Sequence, residues 1–188
     1  MTVLVTLAGE SDLEGAERLM RQVLEEDLGG YRREWHRDVD DLSGAYLTAP
    51  RAALFVARLG GEVVGTAAIR PCRLQSPPNP AWLARRFSVA SVCELRRVWV
   101  GAGARRRGVA RALVAAATRW AVEDGGFEEV YLHTDTGAPG AEAFWRALPT
   151  TQVHDARPDP FNCVHFVLDV AALQAAPVTG ASTRAGAR

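Results

Sequence analysis

Val98-Trp99-Val100-Gly101-Ala102-Gly103-Ala104-Arg105-Arg106-Arg107-Gly108-Val109-Ala110-Arg111-Ala112-Leu113 runs from a short apolar strand, through a small-residue turn and three arginines, into a segment with helical spacing. That order suits an anion. The first N–H groups of a helix have no intrahelical acceptor and lie at the positive end of its dipole, so a phosphate placed before Val109 meets several oriented donors. Gly108 lets the backbone come close, and Arg105, Arg106 and Arg107 add charge. The stretch contains neither G-x-x-x-x-G-K-[ST] nor G-x-G-x-x-G, so it is neither a P-loop nor a dinucleotide fingerprint. The other reading of the three arginines is a solvated face or a nonspecific phosphate patch.

On the N-terminal side, Val3 to Leu7 reads as a strand, and Ser11-Asp12-Leu13-Glu14 reads as a capping box. The helix it opens places Leu13, Ala16, Met20, Val23, Leu24 and Leu28 on one face and ends at Gly29-Gly30. Tyr31 to about Leu42 reads as a second, more polar helix. Ala53–Leu59 and Val63–Arg70 are strands of a hairpin joined by Gly60-Gly61. The proline-rich segment 71–90 has no strand period and reads as an insertion, with a helical piece at Trp82 to Phe87, that either folds over a site or is a plain surface loop. Ser91 to Val100 is the next strand. Leu95 and Val98 have opposite parity, which a β-bulge between them reconciles.

On the C-terminal side, the helix from Gly108 turns Ala112, Leu113, Ala116, Trp120 and Ala121 to a core and stops at Gly125-Gly126. Phe127 to Thr134 reads as a strand, Pro139 to Leu148 as a short helix, Gln152 to Asp155 as a strand, and Val164 to Val170 as an alternating final strand. The order is β-α-α-β-β-β-α-β-α-β-β.

Three stretches carry a resemblance. Arg105-Arg106-Arg107-Gly108-Val109-Ala110 resembles the pyrophosphate loop [QR]-x-x-G-x-[GA] of the GCN5-related N-acetyltransferases, Glu94–Val100 resembles their fourth strand, and Ala141–Leu148 resembles their A-x-x-F-Y-x-x-L segment. The element order also matches, over Val3 to Val170. The resemblance implies an α/β (α+β) fold with a mixed, mostly antiparallel sheet, splayed between its fourth and fifth strands, and helices on both faces. One domain over 1–174 and a small, polar, disordered tail over 175–188 follow.

The resemblance further implies that acetyl-CoA is the acyl donor, its pantetheine arm lying along Val98, Trp99 and Val100 and its diphosphate on Arg105, Arg106, Arg107, Gly108, Val109 and Ala110. The reaction implied is acetyl transfer to a primary amine of a small molecule or amino terminus. An ammonium is no nucleophile, so a base must take its proton, and the tetrahedral oxyanion needs a donor. Glu94 matches the position that supplies the base in several members, and a partly buried carboxylate there is expected to have a raised pKa; the alternative is that it only pairs with an arginine such as Arg96. Two positions depart from the family. Trp145 stands where a tyrosine acid is common, and an indole N–H gives up no useful proton; Ala138 stands near the usual asparagine. Tyr131, His133 and Asp135 are the nearby replacements in sequence, and His133 is taken as the second catalytic candidate. The acceptor site of this fold lies between the first two helices and the loops near the last strands. There Asp38, with Asp40 and Asp41, either attracts a cationic amine on which Trp35 packs or forms a solvated helix face.

Composition sets outer limits. The 188 residues suffice for one core; 48% hydrophobic and 23% charged residues are ordinary for a globular chain. Zero formal net charge gives no global basic field, so no nucleic-acid partner is expected. No basic leader and no bilayer-length apolar run are present, so a cytoplasmic protein with no membrane partner is expected. Cys72, Cys93 and Cys163 form no C-x-x-C pair, and no metal site is expected; Cys93 and Cys163 read as buried thiols. A homodimer stays open. Besides the enzyme, two readings stand: a catalytically reduced acyl-CoA binding or sensing domain, motivated by Trp145, and phosphate-backbone binding through Arg105–Arg107.

Overall fold

The computed structural model describes residues 3–158 and 162–175. The elements are β1 Leu4–Leu7, α1 Leu13–Asp27, α2 Arg33–His36, β2 Ala53–Leu59, β3 Glu62–Pro71, α3 Ala81–Phe87, β4 Val92–Val100, α4 Val109–Glu123, β5 Glu129–Asp135, α5 Ala141–Arg146, β6 Thr150–Asp155, β7 Cys163–Leu168 and α6 Val170–Ala175. The strands form one sheet in the order β1-β2-β3-β4-β5-β7-β6, antiparallel throughout except where β4 and β5 run parallel.

That parallel pair is short. It joins Val92 to Glu129, Cys93 to Val130 and Glu94 to Tyr131, and beyond Glu94 the two strands part. The bulge expected between Leu95 and Val98 is present: the β3–β4 register jumps between Ala68↔Arg96 and Thr66↔Trp99, and Arg97 takes a left-handed φ of 53°. A side chain in that region costs about 1–2 kcal/mol, so something must hold Arg97 there. Its guanidinium forks onto Asp38, with bonds of 2.9 and 2.6 Å.

Each face has its own core. On one, α4 buries Val109, Ala112, Leu113, Val114, Ala117 and Ala121 against Phe55, Ile69, Leu95 and Leu132, each large side chain contributing on the order of 1.5–3 kcal/mol. Gly65 of β3 permits this approach: a Cβ there would lie 2.9 Å from Leu113 and 3.0 Å from Val109. On the other face, Ala16 and Met20 of α1 pack with Val39, Tyr46, Leu54, Val56 and Ala68. A third cluster seats α3 through Leu83 and Phe87 on Tyr131, Val92 and Cys72. The insertion is thereby tied down, and Arg86 adds a two-pronged bond to Glu129 at 2.7 Å.

Several local expectations are corrected. The residue at the N-cap of α1 is Asp12 and not Ser11; its carboxylate reaches back to accept the Gly9 N–H at 2.9 Å, closing a 3-10 turn ahead of the helix, and bonds no N–H of α1 itself. Leu19 joins the buried face of α1, while Leu13 is only partly buried. Residues 31–42 do not form one helix: α2 is a single turn, followed by a 3-10 turn at Arg37–Val39 and a wide π-type turn at Ser43–Leu47. Side chains there compete for the backbone: His36 Nδ1 accepts the Arg32 N–H at 2.9 Å and Asp41 accepts the Gly44 N–H at 2.8 Å. The final strand stops at Leu168, because Asp169 accepts the Ala172 N–H at 2.9 Å and opens α6. Cys93 is buried, but Cys163 is only half-buried. Among the described residues no helix is long and apolar enough to cross a membrane. Of the expected tail, 176–188 lie outside the described residues.

Candidate acyl-transfer site

The splay opens a cleft of about 1570 Å³ that runs from the N-terminus of α4, along the freed edge of β4, to the α2 segment and the 71–80 loop. At one end sits the loop expected to take a diphosphate. Gly108 is left-handed, with φ 77°, and a Cβ there would point into open space. Helix geometry leaves the N–H groups of Val109, Ala110 and Arg111 without intrahelical acceptors. Arg106, Gly108, Val109, Ala110 and Arg111 line the cleft, Val109 with its side chain buried; Arg111 was not singled out in the sequence.

The other two arginines behave differently. Arg105 lines the cleft but is spent on structure: Nε donates to the Val100 carbonyl at 3.0 Å and the guanidinium grips Asp27 at the end of α1. Arg107 is exposed and is not among the cleft-lining residues. Val98, Trp99 and Val100 line the middle of the cleft along the stretch of β4 that β5 has left.

Glu94 and His133 stand at the apex of the split, one on each strand. Glu94 is buried, and its Oε1 lies 3.4 Å from Nδ1 of His133, whose side chain remains 42% exposed to the cleft. Arg70 holds the other carboxylate oxygen at 2.8–2.9 Å, and Arg96 lies 3.6 Å from it. The raised pKa expected for Glu94 is therefore corrected. Burial by itself would raise it, but the charges of Arg96, Arg70 and His133 outweigh burial and hold it at about 2. The cleft walls disfavour the imidazolium, and the nearby arginines add to this, so the pKa of His133 falls below its ordinary 6.5 despite the pull of Glu94.

Behind His133 lie partners that the sequence reading did not join. Register places His165 of β7 between His133 and His154, and Tyr131 OH lies 2.6 Å from His165 Nδ1. Burial first, and then the Glu94 charge, raise the Tyr131 pKa, so the phenol keeps its proton. Trp82 of α3 meets His154 edge-on. Among the described residues no group of three or more His, Cys, Asp or Glu could hold a metal ion.

Trp35 and Asp38 line the opposite wall, but the Asp38 carboxylate is engaged by Arg97 and by the Tyr46 hydroxyl. Burial opposes its charge, yet these bonds and the charges of Arg96 and Arg97 push its pKa well below the carboxylate range. Trp35 is half exposed, with Arg32 over its ring at 5.0 Å. Asp40 pairs with Arg21 and Tyr31 instead of facing the cleft. Trp145 is buried in α5 at the cleft margin, next to Phe144.

Comparison with known proteins agrees with this geometry. The profile of the Acetyltransferase (GNAT) family matches residues 19–148. N-acetyltransferase 8 of Mus musculus is 28% identical over 145 residues, covering 74% of this chain and 59% of that protein, so the chain spans about three-fifths of that relative's length. Among solved structures, an acetyltransferase of the GNAT family from Staphylococcus aureus Mu50 superposes with a TM-score of 0.68 at 14% identity, over 90% of this chain and 99% of that one. Spermidine N-acetyltransferase from Vibrio cholerae, solved with CoA and spermine, gives 0.65 at 12% identity, over 92% and 98%. With a split sheet, an anion-ready helix start between the strands' open end and α4, and a family match over most of its length, the chain belongs to the GNAT family of acetyltransferases.

Proposed function

We propose that this protein moves an acetyl group from acetyl-CoA to the primary amine of a small molecule or amino terminus by direct attack, with His133 as the general base and Glu94 as the carboxylate that orients it. The observation that carries this reading is the placement of a neutral, cleft-facing imidazole against a buried carboxylate at the apex of the β4–β5 split. A carboxylate held at about 2 is a poor proton acceptor near neutrality, whereas an uncharged imidazole is a competent one. Val98–Val100 would run beside the pantetheine arm, and Arg106, Gly108, Val109 and Ala110 would meet the diphosphate. Trp35 and Asp38 would form the acceptor wall, Asp38 through its hold on Arg97.

In the step itself, His133 takes one proton from the ammonium, and the amine lone pair attacks the thioester carbonyl carbon. Beyond Glu94 β4 has no pairing with β5, and a main-chain N–H on that edge would be the donor for the developing oxyanion. On collapse the C–S bond breaks, and the thiolate receives the second proton lost from nitrogen. A thiol with an ordinary pKa of about 8.5 makes a tolerable leaving group near neutrality without a dedicated acid, so Trp145 does not forbid turnover. The competing reading, a domain that binds acyl-CoA without turnover, draws on Trp145 at the position where a proton donor would stand. Incubation with acetyl-CoA and an amine panel, following free thiol, decides between them: amine-dependent thiol release is expected, and CoA binding with neither acceptor turnover nor slow hydrolysis would overturn the transfer reading.

A further inference from the structure

The acceptor end of the cleft holds a guanidinium that two carboxylates flank but no described residue hydrogen-bonds. Three guanidiniums, of Arg70, Arg96 and Arg97, face two carboxylates there, Glu94 and Asp38. Arg70 takes Glu94 at 2.8–2.9 Å, and Arg97 takes Asp38 in a fork. Arg96 is left between them, 3.6 Å from each carboxylate, and makes no hydrogen bond to any described residue. Its Nε is shielded from solvent and unpartnered, while 14% of its side chain opens to the cleft. A guanidinium carries five N–H donors in a planar fork, and burying it without hydrogen bonds is costly. The group that answers such a fork is a carboxylate, bound by two parallel charge-assisted bonds. Arg73 adds a second cation on the 71–80 side, lining the cleft with no hydrogen bond or ion pair to a described residue.

We infer that the acceptor is an amino acid or a derivative with a free carboxylate, seated by Arg96 while its amine faces His133. This rests on the transfer reading above and narrows its acceptor. Spacing sets the class. Arg96 and His133 both touch Glu94, from its two oxygens, so the carboxylate and the amine of the acceptor must lie a few bonds apart. An α- or β-amino acid meets that condition. A linear polyamine does not, and it would bring further positive charge to a floor that already has an excess of one guanidinium.

The experiment pairs binding with turnover. The common amino acids and their carboxamides are compared as acceptors with acetyl-CoA, and separately as ligands of the CoA-loaded protein by calorimetry, with spermine as a third arm. At least one amino acid is expected to exceed its own amide by a hundredfold in kcat/KM and to bind where the amide does not. Arg96→Gln should erase that preference through KM, and Arg96→Lys, which keeps the charge but loses the fork, should restore part of it. Unchanged CoA affinity in both variants shows that the fold is intact. Amides or spermine used as well as the acids would overturn the carboxylate seat while leaving transfer standing. Acids that bind through Arg96 without turnover would overturn transfer and keep the seat. Neither binding nor turnover of any acid would remove both.

Discussion

In the proposed reaction Glu94 and His133 divide one task between two groups, and the electrostatics of the pair assign the parts. With its pKa at about 2 the carboxylate is charged at any pH where the protein would work, and it both aligns the imidazole and raises its basicity. His133→Gln is therefore expected to lower the single-turnover acetylation rate by about 10²–10⁴-fold, the usual worth of a positioned base, with CoA affinity unchanged by calorimetry. The rate should rise with pH through a value below 6.5 and then level off, because the depressed imidazole pKa leaves the base form populated above it. In Glu94→Gln the limb should move to still lower pH, since the carboxylate that raises the His133 pKa is lost, and the plateau should fall. A wild-type profile already flat down to pH 4 would instead give the base role to Glu94. Gly108 offers an independent residue-level check. A glutamate there would place its charge in open space at the helix start, where the diphosphate is expected, and would need a left-handed backbone at about 1–2 kcal/mol. Gly108→Glu should abolish CoA binding and lower the melting temperature slightly; unaltered CoA affinity would remove the loop from the site.

The bulged strand β4 and the short α2 segment hold each other in place. The left-handed Arg97 exposes its fork to Asp38, and Asp38 in turn accepts from Tyr46 in the core beneath α1. Asp38→Ala strands a buried guanidinium, a loss expected to cost about 3 kcal/mol in urea unfolding. Arg97→Ala should cost a similar amount, and the double variant clearly less than their sum, because each removes the same contact; additive losses would mean that the pair does not lock the bulge. This lock was only half legible beforehand. The bulge itself could be inferred from the opposed parity of Leu95 and Val98, and the strands, α4 and the small-residue loop followed from periodicity and glycine placement. The fate of residues 31–42 could not, since whether an aspartate solvates a helix face or reaches a strand far along the chain depends on contacts that local pattern does not encode. The same limit hid Arg105, written like a phosphate ligand but bonded to Asp27, and the cross-strand ladder of His133, His165 and His154, whose spacing in sequence shows no motif.

The molecule as a whole depends on a polar seam where the α1–α2 layer meets β4, and His36 sits in it. The ring is 8% exposed, edge-on to Trp99 at 6.4 Å, and its Nδ1 accepts the Arg32 N–H. Burial, with the charges of Arg97 and Arg96, lowers its pKa to about 4, although Asp38 opposes this. The folded value thus lies below the unfolded 6.5, so the native state favours the neutral ring. The stability this confers is complete above pH 6.5 and is lost as pH falls toward 4, on the order of 2–3 kcal/mol by linkage. Glu94 adds a second loss at lower pH, from about 4.5 down to 2, because its folded pKa is also depressed. Urea unfolding at pH 7, 6 and 5 should therefore show declining stability above the range where the carboxylates titrate. His36→Asn, which keeps an acceptor for the Arg32 N–H but cannot take up a proton in this range, should start less stable at pH 7 because packing against Trp99 is lost, and should decline less between pH 6.5 and 4.5. Parallel curves for the two proteins would show that the early acid loss arises elsewhere, His133 being a second imidazole with a depressed pKa, whose replacement in His133→Gln should then flatten the curve.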